Sequence, residues 1–247
     1  KVFMASNPME QFTVYKIGPE INIAGINLSF TNSSLFMVIS ASIIILFLFF
    51  GSKEKKIIPS KIQLIAEMSY TFVAKMISDT AGSKAKPYFP FIFSLFMFVL
   101  FCNMLGMIPY TFTVTSHIIV TFVLAAFIFI GVTIIGFIKH GLGYLKLFVP
   151  GGVPMVLLPL IIIIEIISYL SRPISLSVRL FANMMAGHTM MKVFGSFVVS
   201  LGIVGGWLPL SFSVALTGLE ILVAFLQAYV FAILTCIYLN DALNLHH

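Results

Sequence analysis

Apolar residues run along most of this chain in blocks that are long enough to cross a membrane. Five such blocks, at about 34–50, 89–108, 118–138, 156–201 and 208–240, are separated by shorter polar or glycine-containing connections. A helix needs roughly 20 apolar residues to span a hydrocarbon core about 30 Å thick. Runs such as Ile161 to Ile164 are apolar on every face, whereas a barrel strand alternates apolar and polar side chains. The pattern predicts an all-α, polytopic helical membrane protein.

Two segments depart from this pattern. Residues 1–30 are mixed in polarity and contain Pro8, Pro19 and several glycines, so they predict an extramembrane amino-terminal arm with a short helix or hairpin. Between about 60 and 80, apolar residues recur at helical spacing among lysines and acidic residues. This spacing predicts an amphipathic helix lying on the membrane surface. We expect residues 31–247 to form a single transmembrane domain.

The block at 156–201 is too long for an ordinary span. Some 40 residues of continuous helix would reach about 60 Å, roughly twice the thickness of the bilayer core. The helix must therefore break, with Pro173 as one candidate position, or lie strongly inclined. Gly202, Gly205 and Gly206 separate this block from the final one. The sequence alone leaves both arrangements open.

Composition and charge narrow the class further. The chain is 60% hydrophobic and only 9% charged, which excludes an ordinary soluble globule. Its net charge of +6 comes from lysines concentrated in short connections, a distribution that encodes topology and argues against nucleic acid as a partner. The connections at 51–56 and 139–146 are basic, whereas the loop at 109–117 has no lysine or arginine. The two basic connections therefore share one side, and the 109–117 loop faces the other.

Ionisable residues are concentrated in the last two blocks, where each costs about 2.5–3.5 kcal/mol to insert. Glu165, Arg172 and Arg179 are seven residues apart, close to two helical turns per step. Two interpretations of Arg172 stay open, pairing with Glu165 or anchoring a helix end before Pro173. Arg179 has no carboxylate one or two turns away, so its counter-ion must come from outside its own helix. Further polar residues fall on the same stripe: Ser168, Ser175 and Asn183.

The final block carries a second polar face. Glu220 and Gln227 are again seven residues apart. A glutamate in an apolar run is costly when ionised, which suits transient protonation, and the ordinary pKa of histidine near 6.5 would suit His188 for the same task. Gln227 can also simply bridge helices. The two cysteines, Cys102 and Cys236, lie in separate apolar blocks without metal-ligand spacing, so we expect neither a metal site nor a cofactor.

Several segments resemble subunit a of the F-type ATP synthases, closest to those of mitochondria of plants and protists and of alphaproteobacteria. The most specific is Arg179 to His188, which reads RLFANMMAGH. The resemblance continues in Ala215 to Val230 (ALTGLEILVAFLQAYV), in Phe101 to Ser116 (FCNMLGMIPYTFTVTS) and in Tyr238 to His246 (YLNDALNLH). It spans most of the chain from the first apolar block onward.

The resemblance implies roles for individual residues. Arg179 would be the essential charge facing the carboxylate of each passing c subunit, and the last two blocks would form a steeply inclined hairpin against the c-ring. His188 and Glu220 would belong to the half-channel through which protons enter, where some family members carry the two residue types exchanged. The other positions implied in the proton path are Glu165 toward the exit, Asn183 and Gln227 near the arginine, and Asn103 near the access path. Arg172 and Ser175 carry over less specifically.

The function implied is proton translocation by a stator subunit through two offset half-channels that load and unload the c-ring and so drive rotation and ATP synthesis. The implied partners are the c-ring, the peripheral-stalk subunit b, other Fo subunits and the lipid bilayer. The implied location is the mitochondrial inner membrane or a bacterial plasma membrane. The chain has no GxxxxGK[ST] phosphate loop, so we expect no nucleotide site of its own. A secondary transporter or ion channel with its own midmembrane site is the alternative.

Overall fold

The fold follows from the apolar blocks, each of which becomes a helix. A computed structural model describes residues 12–17, 22–23, 26–27, 29–53, 59–108, 111–149 and 157–244. Two two-residue strands, β1 (Asn22–Ile23) and β2 (Ile26–Asn27), pair antiparallel as a small hairpin within the amino-terminal arm. The described α-helices are α1 (Asn32–Lys53), α2 (Lys61–Ala81), α3 (Phe89–Gly106), α4 (Ile118–His140), α5 (Leu158–Gly205) and α6 (Trp207–Leu243).

Five of these helices are long and apolar enough to cross a membrane, namely α1, α3, α4, α5 and α6. Many large apolar side chains point away from the protein, for example Ile138, which is 80% exposed, and Phe127, which is 65% exposed. Exposed apolar surface of this extent suits a lipid environment and not water. The structure therefore confirms the prediction of an all-α, polytopic membrane protein. Predicted and observed helix ends differ by up to four residues, somewhat more than the one or two by which assignments of a helix end usually vary.

The long apolar block forms the single helix α5, with one interruption near its end. It continues through Pro173, which is buried, so the helix does not break at that candidate position. The helix is interrupted only at Gly202, whose φ of 66° and ψ of −164° are accessible to glycine and not to other residues. From Leu158 to Leu201 an uninterrupted helix reaches about 66 Å at 1.5 Å per residue. A rod of this length fits a bilayer only when it is strongly inclined, which is the other of the two predicted arrangements.

Helix α2 begins with a side-chain cap, since the hydroxyl of Ser60 accepts a hydrogen bond from the amide of Gln63. It buries Val73, Met76 and Ile77 against its neighbours. Phe72 lies beside the rings of Phe225 and Tyr229 on α6 but remains 38% exposed. The apolar face of α2 therefore divides between the protein core and the outside. Its placement on the membrane surface stays a prediction.

The core forms where α6 packs against α2, α3, α4 and α5. The carboxyl-terminal half of α6 carries Ala224, Ala228 and Ala232 at four-residue spacing, and all three are fully buried. Small residues at this spacing let the backbones of neighbouring helices approach closely. Ile92, Phe96 and Val99 of α3 fill the opposite face. This packing fixes α5 and α6 side by side and determines which of their polar residues meet.

Long-range hydrogen bonds show which connections share an end of the helix bundle. Thr113, in the loop between α3 and α4, bonds to His188 near the carboxyl-terminal part of α5. At the other end, the ammonium of Lys84, between α2 and α3, donates to the side chain of Asn244 just after α6, at 2.8 Å. We call the loop between α3 and α4 the low-lysine loop, because it carries no lysine. It lies toward the α5–α6 turn, away from the basic connections.

Candidate functional site

His188 and Glu220 meet between α5 and α6. The Nε2 atom of His188 lies 3.7 Å from Oε1 of Glu220, and their side chains are only 8% and 5% exposed. The two residues are 32 positions apart in the sequence and were predicted to share a path. The structure brings them together. This distance is longer than a hydrogen bond, and a side-chain shift of under about 1 Å would bring the imidazole and the carboxyl group into range for proton transfer.

Thr113 extends this pair toward the low-lysine loop. Its hydroxyl lies 3.1 Å from Nε2 of His188 and is buried. The same hydroxyl donates to the carbonyl of Gly106 at 3.3 Å, so it can accept a hydrogen bond from Nε2 of His188 when that nitrogen carries the proton. Thr113 lies in the segment Phe101 to Ser116 that carries the resemblance, but the sequence predicted no role for it. The only signal was its position in a loop that carries no lysine.

Asn103 ties α3 to the same region of α6. Its side-chain amide donates to the backbone carbonyl of Ala224 at 3.2 Å, and the hydroxyl of Thr115 donates to Asn103 Oδ1 at 2.9 Å. Ala224 lies one turn beyond Glu220. Asn103 is fully buried, so these bonds replace the water that its amide would otherwise hold. Asn103 therefore holds the backbone of α6 one turn from Glu220, and no hydrogen bond joins it to Glu220 itself in the described structure.

In the loop that leads to this cluster, His117 stacks on Phe112 with ring centroids 4.9 Å apart. Burial lowers the pKa of His117 below its ordinary value because the charged imidazolium is poorly solvated there. The imidazole therefore stays neutral at neutral pH and adds no positive charge to the loop.

The carboxyl group of Glu220 packs closely against α5 in a gap, or notch, at Gly187. Both of its carboxyl oxygens are buried and accept no hydrogen bond from the residues that the structure describes. Gly187 faces it so closely that a Cβ atom there would lie 2.7 Å from Oε1 and 2.9 Å from Cδ. Only a residue without a side chain leaves room for the carboxyl group beside the helix. Gly187 is therefore a second member of the site that sequence reasoning missed.

Replacing Gly187 by alanine should displace Glu220 from His188 and slow proton flux about tenfold, because the added methyl group occupies the space of the carboxyl group. Gly195→Ala on the same helix is the matched control, since a Cβ there meets nothing within 4 Å. Passive proton conduction of vesicles containing the assembled membrane sector is the measurement. Equal conduction by the two variants would show that the notch is not needed.

Arg179 occupies a different kind of position. It is exposed, and no hydrogen bond or ion pair joins it to another residue in the part of the chain that the structure describes. A guanidinium within an apolar helix is costly unless it is paired or solvated. Exposed small residues follow one line of α5 on both sides of Arg179, beside larger exposed residues such as Ile174 and Val178. We call this line the small-residue stripe: Ser168, Ser171, Ser175, Ala182 and Ala186.

Arg172 is paired, but not with Glu165. Its Nη1 atom donates to Oδ2 of Asp241 on α6 at 2.9 Å. Its guanidinium also lies 5.3 Å from the ring centroid of Tyr169 and 5.0 Å from that of Tyr238. The open alternative of a Glu165 bridge is thus replaced by a contact between helices. The interpretation as an anchor at a helix end was also wrong, because α5 continues past Arg172 without interruption.

The remaining predicted residues do not join one cluster. Glu165 and Asn183 are half-buried on α5, and Ser175 is exposed on the small-residue stripe. Glu165 lies fourteen residues before Arg179, about 21 Å along the helix, on the side of the basic connections. Gln227 is buried, and its amide nitrogen has no hydrogen-bond partner among the described residues. The described residues include no group of three potential metal ligands, and both cysteines are buried and free.

Comparison with known proteins decides the family. The profile of the family described as ATP synthase A chain matches residues 34–240. The chain belongs to the ATP synthase A chain family. It is 82% identical to ATP synthase subunit a of Pelagibacter ubique (strain HTCC1062) over 244 residues, which covers 99% of this chain and 100% of that protein. It is 60% identical to ATP synthase subunit a of Rhizobium rhizogenes (strain K84 / ATCC BAA-868), with 98% of each chain covered.

As a member of the ATP synthase A chain family, the protein is a multi-pass membrane subunit with a part in ATP synthesis and proton transport. The resemblance to subunit a, drawn from Arg179 to His188 and three further segments, is confirmed. Both relatives named above are bacterial, so they give no support to the mitochondrial inner membrane as the location. Within this ATP synthase subunit, sequence reasoning missed four residues of the site: Thr113, Thr115, Gly187 and Asp241.

Proposed function

We propose that this chain is the proton-translocating stator subunit a of an F-type ATP synthase in a bacterial plasma membrane. The observation that carries the proposal is Arg179, an exposed guanidinium on a membrane-spanning helix that is unpaired among the described residues. Arg172 is the informative comparison, because it lies two turns away and has its own carboxylate. A cation left without a partner in this way suits a carboxylate that is brought by a moving neighbour.

Protons enter, in this proposal, through the cluster next to the low-lysine loop. Oγ1 of Thr113 and Oε1 of Glu220 lie 3.1 and 3.7 Å from the same atom, Nε2 of His188, so the three side chains form one polar cluster around that nitrogen. Asn103 and Gln227 are buried polar neighbours that support the path. The cluster delivers the proton to a ring carboxylate, which becomes neutral and can then rotate into lipid at little electrostatic cost.

Protons leave, in this proposal, on the side of the basic connections. Glu165 is the acidic residue of α5 on that side, and Asn183 lies between Arg179 and the access cluster. His188 and Glu165 are separated by about 34 Å along α5, and Arg179 lies between them. Two half-channels that are offset in this way prevent a proton from crossing without a turn of the ring.

Arg179 separates the two paths because its charge is permanent. A guanidinium is effectively never deprotonated in a protein, so it attracts the ionised carboxylate but cannot relay a proton. It also repels protons that would otherwise pass directly between the half-channels. The driving force is the membrane potential, about 2.3 kcal/mol per charge per 100 mV, together with any pH difference.

The surface around Arg179 supports the c-ring as the partner. The small-residue stripe is exposed along α5 on both sides of the arginine, and small residues allow a second helix to approach closely. The peripheral-stalk subunit b and other Fo subunits would cover other apolar surfaces of the chain. Nucleotide chemistry would take place in a different subunit of the complex.

A photoactivatable cross-linker tests whether the ring packs on this stripe. We expect the cross-linker at Ser175 or Ala182, in the intact complex, to give adducts with the small ring-forming subunit, identified by mass. At the exposed Ile130 of α4 it should give none. Adducts with lipid alone at both stripe positions would contradict the proposal and favour a self-contained transporter.

A further inference from the structure

The pair formed by Arg172 and Asp241 lies outside the proton path described above. Both side chains are mostly buried, with 22% and 28% exposure, and they join α5 to the last turns of α6 across 69 positions of sequence. Tyr169 and Tyr238 cover the guanidinium with their rings. The hydroxyl of Tyr169 is in turn held by Thr133 at 2.7 Å and by Tyr144 at 3.0 Å. We call these four residues, Arg172, Asp241, Tyr169 and Tyr238, the arginine clamp.

The clamp matters because of its distance from Arg179. The two arginines are seven residues apart, so their side chains leave α5 in directions that differ by only about 20°. Exposed small residues, Ser171 and Ser175, flank Arg172 on the same stripe that carries Arg179. A carboxylate that moves past α5 would therefore encounter two cations of nearly equal accessibility if Arg172 were free.

We propose that Asp241 is a positioning residue that neutralises Arg172, so that Arg179 is the single guanidinium available to the passing ring carboxylate. The inference rests on the function proposed above. Asp241 holds the guanidinium by a charge-assisted hydrogen bond, and the rings of Tyr169 and Tyr238 lie against it within cation–π distance. Without Asp241, Arg172 would bind the ionised carboxylate a second time and delay its turn.

The two partners of the clamp are unequal, and this asymmetry gives the test. Removing Arg172 leaves a carboxyl group that can take up a proton and become neutral. Removing the charge of Asp241 leaves a guanidinium that cannot lose its proton. If the clamp acted only by joining two helices, the double change would also remove the contact and would not restore pumping, and any extra cost of the stranded guanidinium would appear as a smaller amount of assembled complex.

The experiment compares ATP-driven proton pumping by the intact complex carrying Asp241→Asn, Arg172→Gln or both changes. We expect Asp241→Asn to lower the rate by about tenfold or more, and Arg172→Gln and the double variant to stay within about threefold of the parent. Asp241→Glu, which keeps the charge, should stay close to the parent. Lys84→Gln, which removes another contact to the end of α6, is the control for loosening that end.

Three results would overturn the inference. Equal losses in both single variants and the double variant would indicate a structural bridge only. A double variant as slow as Asp241→Asn would indicate that Asp241 itself carries protons. If Asp241→Asn does not assemble, a double variant that pumps more slowly than Arg172→Gln would contradict the inference equally well. Pumping that survives loss of Arg179 would refute the proposed function instead, so the two failures are distinguishable.

Discussion

Replacing Arg179 by alanine abolishes ATP-driven proton pumping, with a fall of at least about 100-fold expected from the loss of a permanent charge at the point of transfer. Without the guanidinium, nothing in the described part of α5 holds the ionised ring carboxylate between the two half-channels. Assembly should be largely intact, because Arg179 is exposed and forms no hydrogen bond or ion pair within the described chain. The measurement is acidification of inverted vesicles after addition of ATP.

Lys75→Ala is the control for Arg179, since it removes an exposed cation from α2, a helix that carries none of the cluster residues. Its pumping rate should remain within about twofold of the parent, because a lysine of this kind extends toward the membrane interface. The amount of ring that purifies with each variant gives the check on assembly. Undiminished coupled pumping by an assembled Arg179→Ala complex would refute the role of this residue.

Exchanging the residue types at positions 188 and 220 should restore proton flux that either single change removes. We expect His188→Gln and Glu220→Gln each to slow flux by about 10- to 100-fold, the range for loss of one proton-transfer group. The His188→Glu/Glu220→His variant should recover a substantial part, because both groups remain within reach of each other at the observed 3.7 Å. Passive conduction through the membrane sector and ATP-driven pumping both report the effect.

Asp79→Asn provides the comparison for the loss of a carboxylate, because Asp79 is exposed on α2, away from the cluster. It should leave flux unchanged. A shared path requires that the two single changes combine non-additively. Single effects that multiply independently, with no recovery on exchange, would mean that His188 and Glu220 act in separate places.

The helices could be predicted from the sequence because membrane spans need long apolar runs, and such runs are visible without any tertiary information. The position at which α5 is interrupted could not be predicted in this way. Pro173 is a strong helix breaker in water, yet α5 passes through it, since neighbouring residues in a packed membrane helix can compensate for the lost hydrogen bond. Gly202 breaks the helix instead, by adopting a backbone conformation that only its flexibility permits.

Site residues could be predicted where they recur along one helix or belong to one sequence motif. The spacing of Glu165, Arg172 and Arg179 along α5 follows from the sequence, and the resemblance correctly indicated the family. The resemblance indicated that His188 and Glu220 belong together, but other contacts across long stretches of sequence were not predictable. The partner of Arg172 lies 69 positions away, and Thr113 lies 75 positions from His188.

The position of Gly187 in this structure illustrates the same limit. A glycine near a histidine is unremarkable in a sequence, and its importance appears only when the carboxyl group of Glu220 packs against it. Periodicity identifies which residues share a face of one helix. It does not show how two helices are rotated against each other, and that rotation decides which polar side chains meet.

The most direct measurement of the central claim is a density map of the intact complex at a resolution that shows side chains. The account predicts that the guanidinium of Arg179 lies opposite a carboxylate of a neighbouring ring subunit, with the small-residue stripe packed along the same helix. A map in which Arg179 is neutralised by residues of its own chain, with no ring helix beside it, would contradict the account.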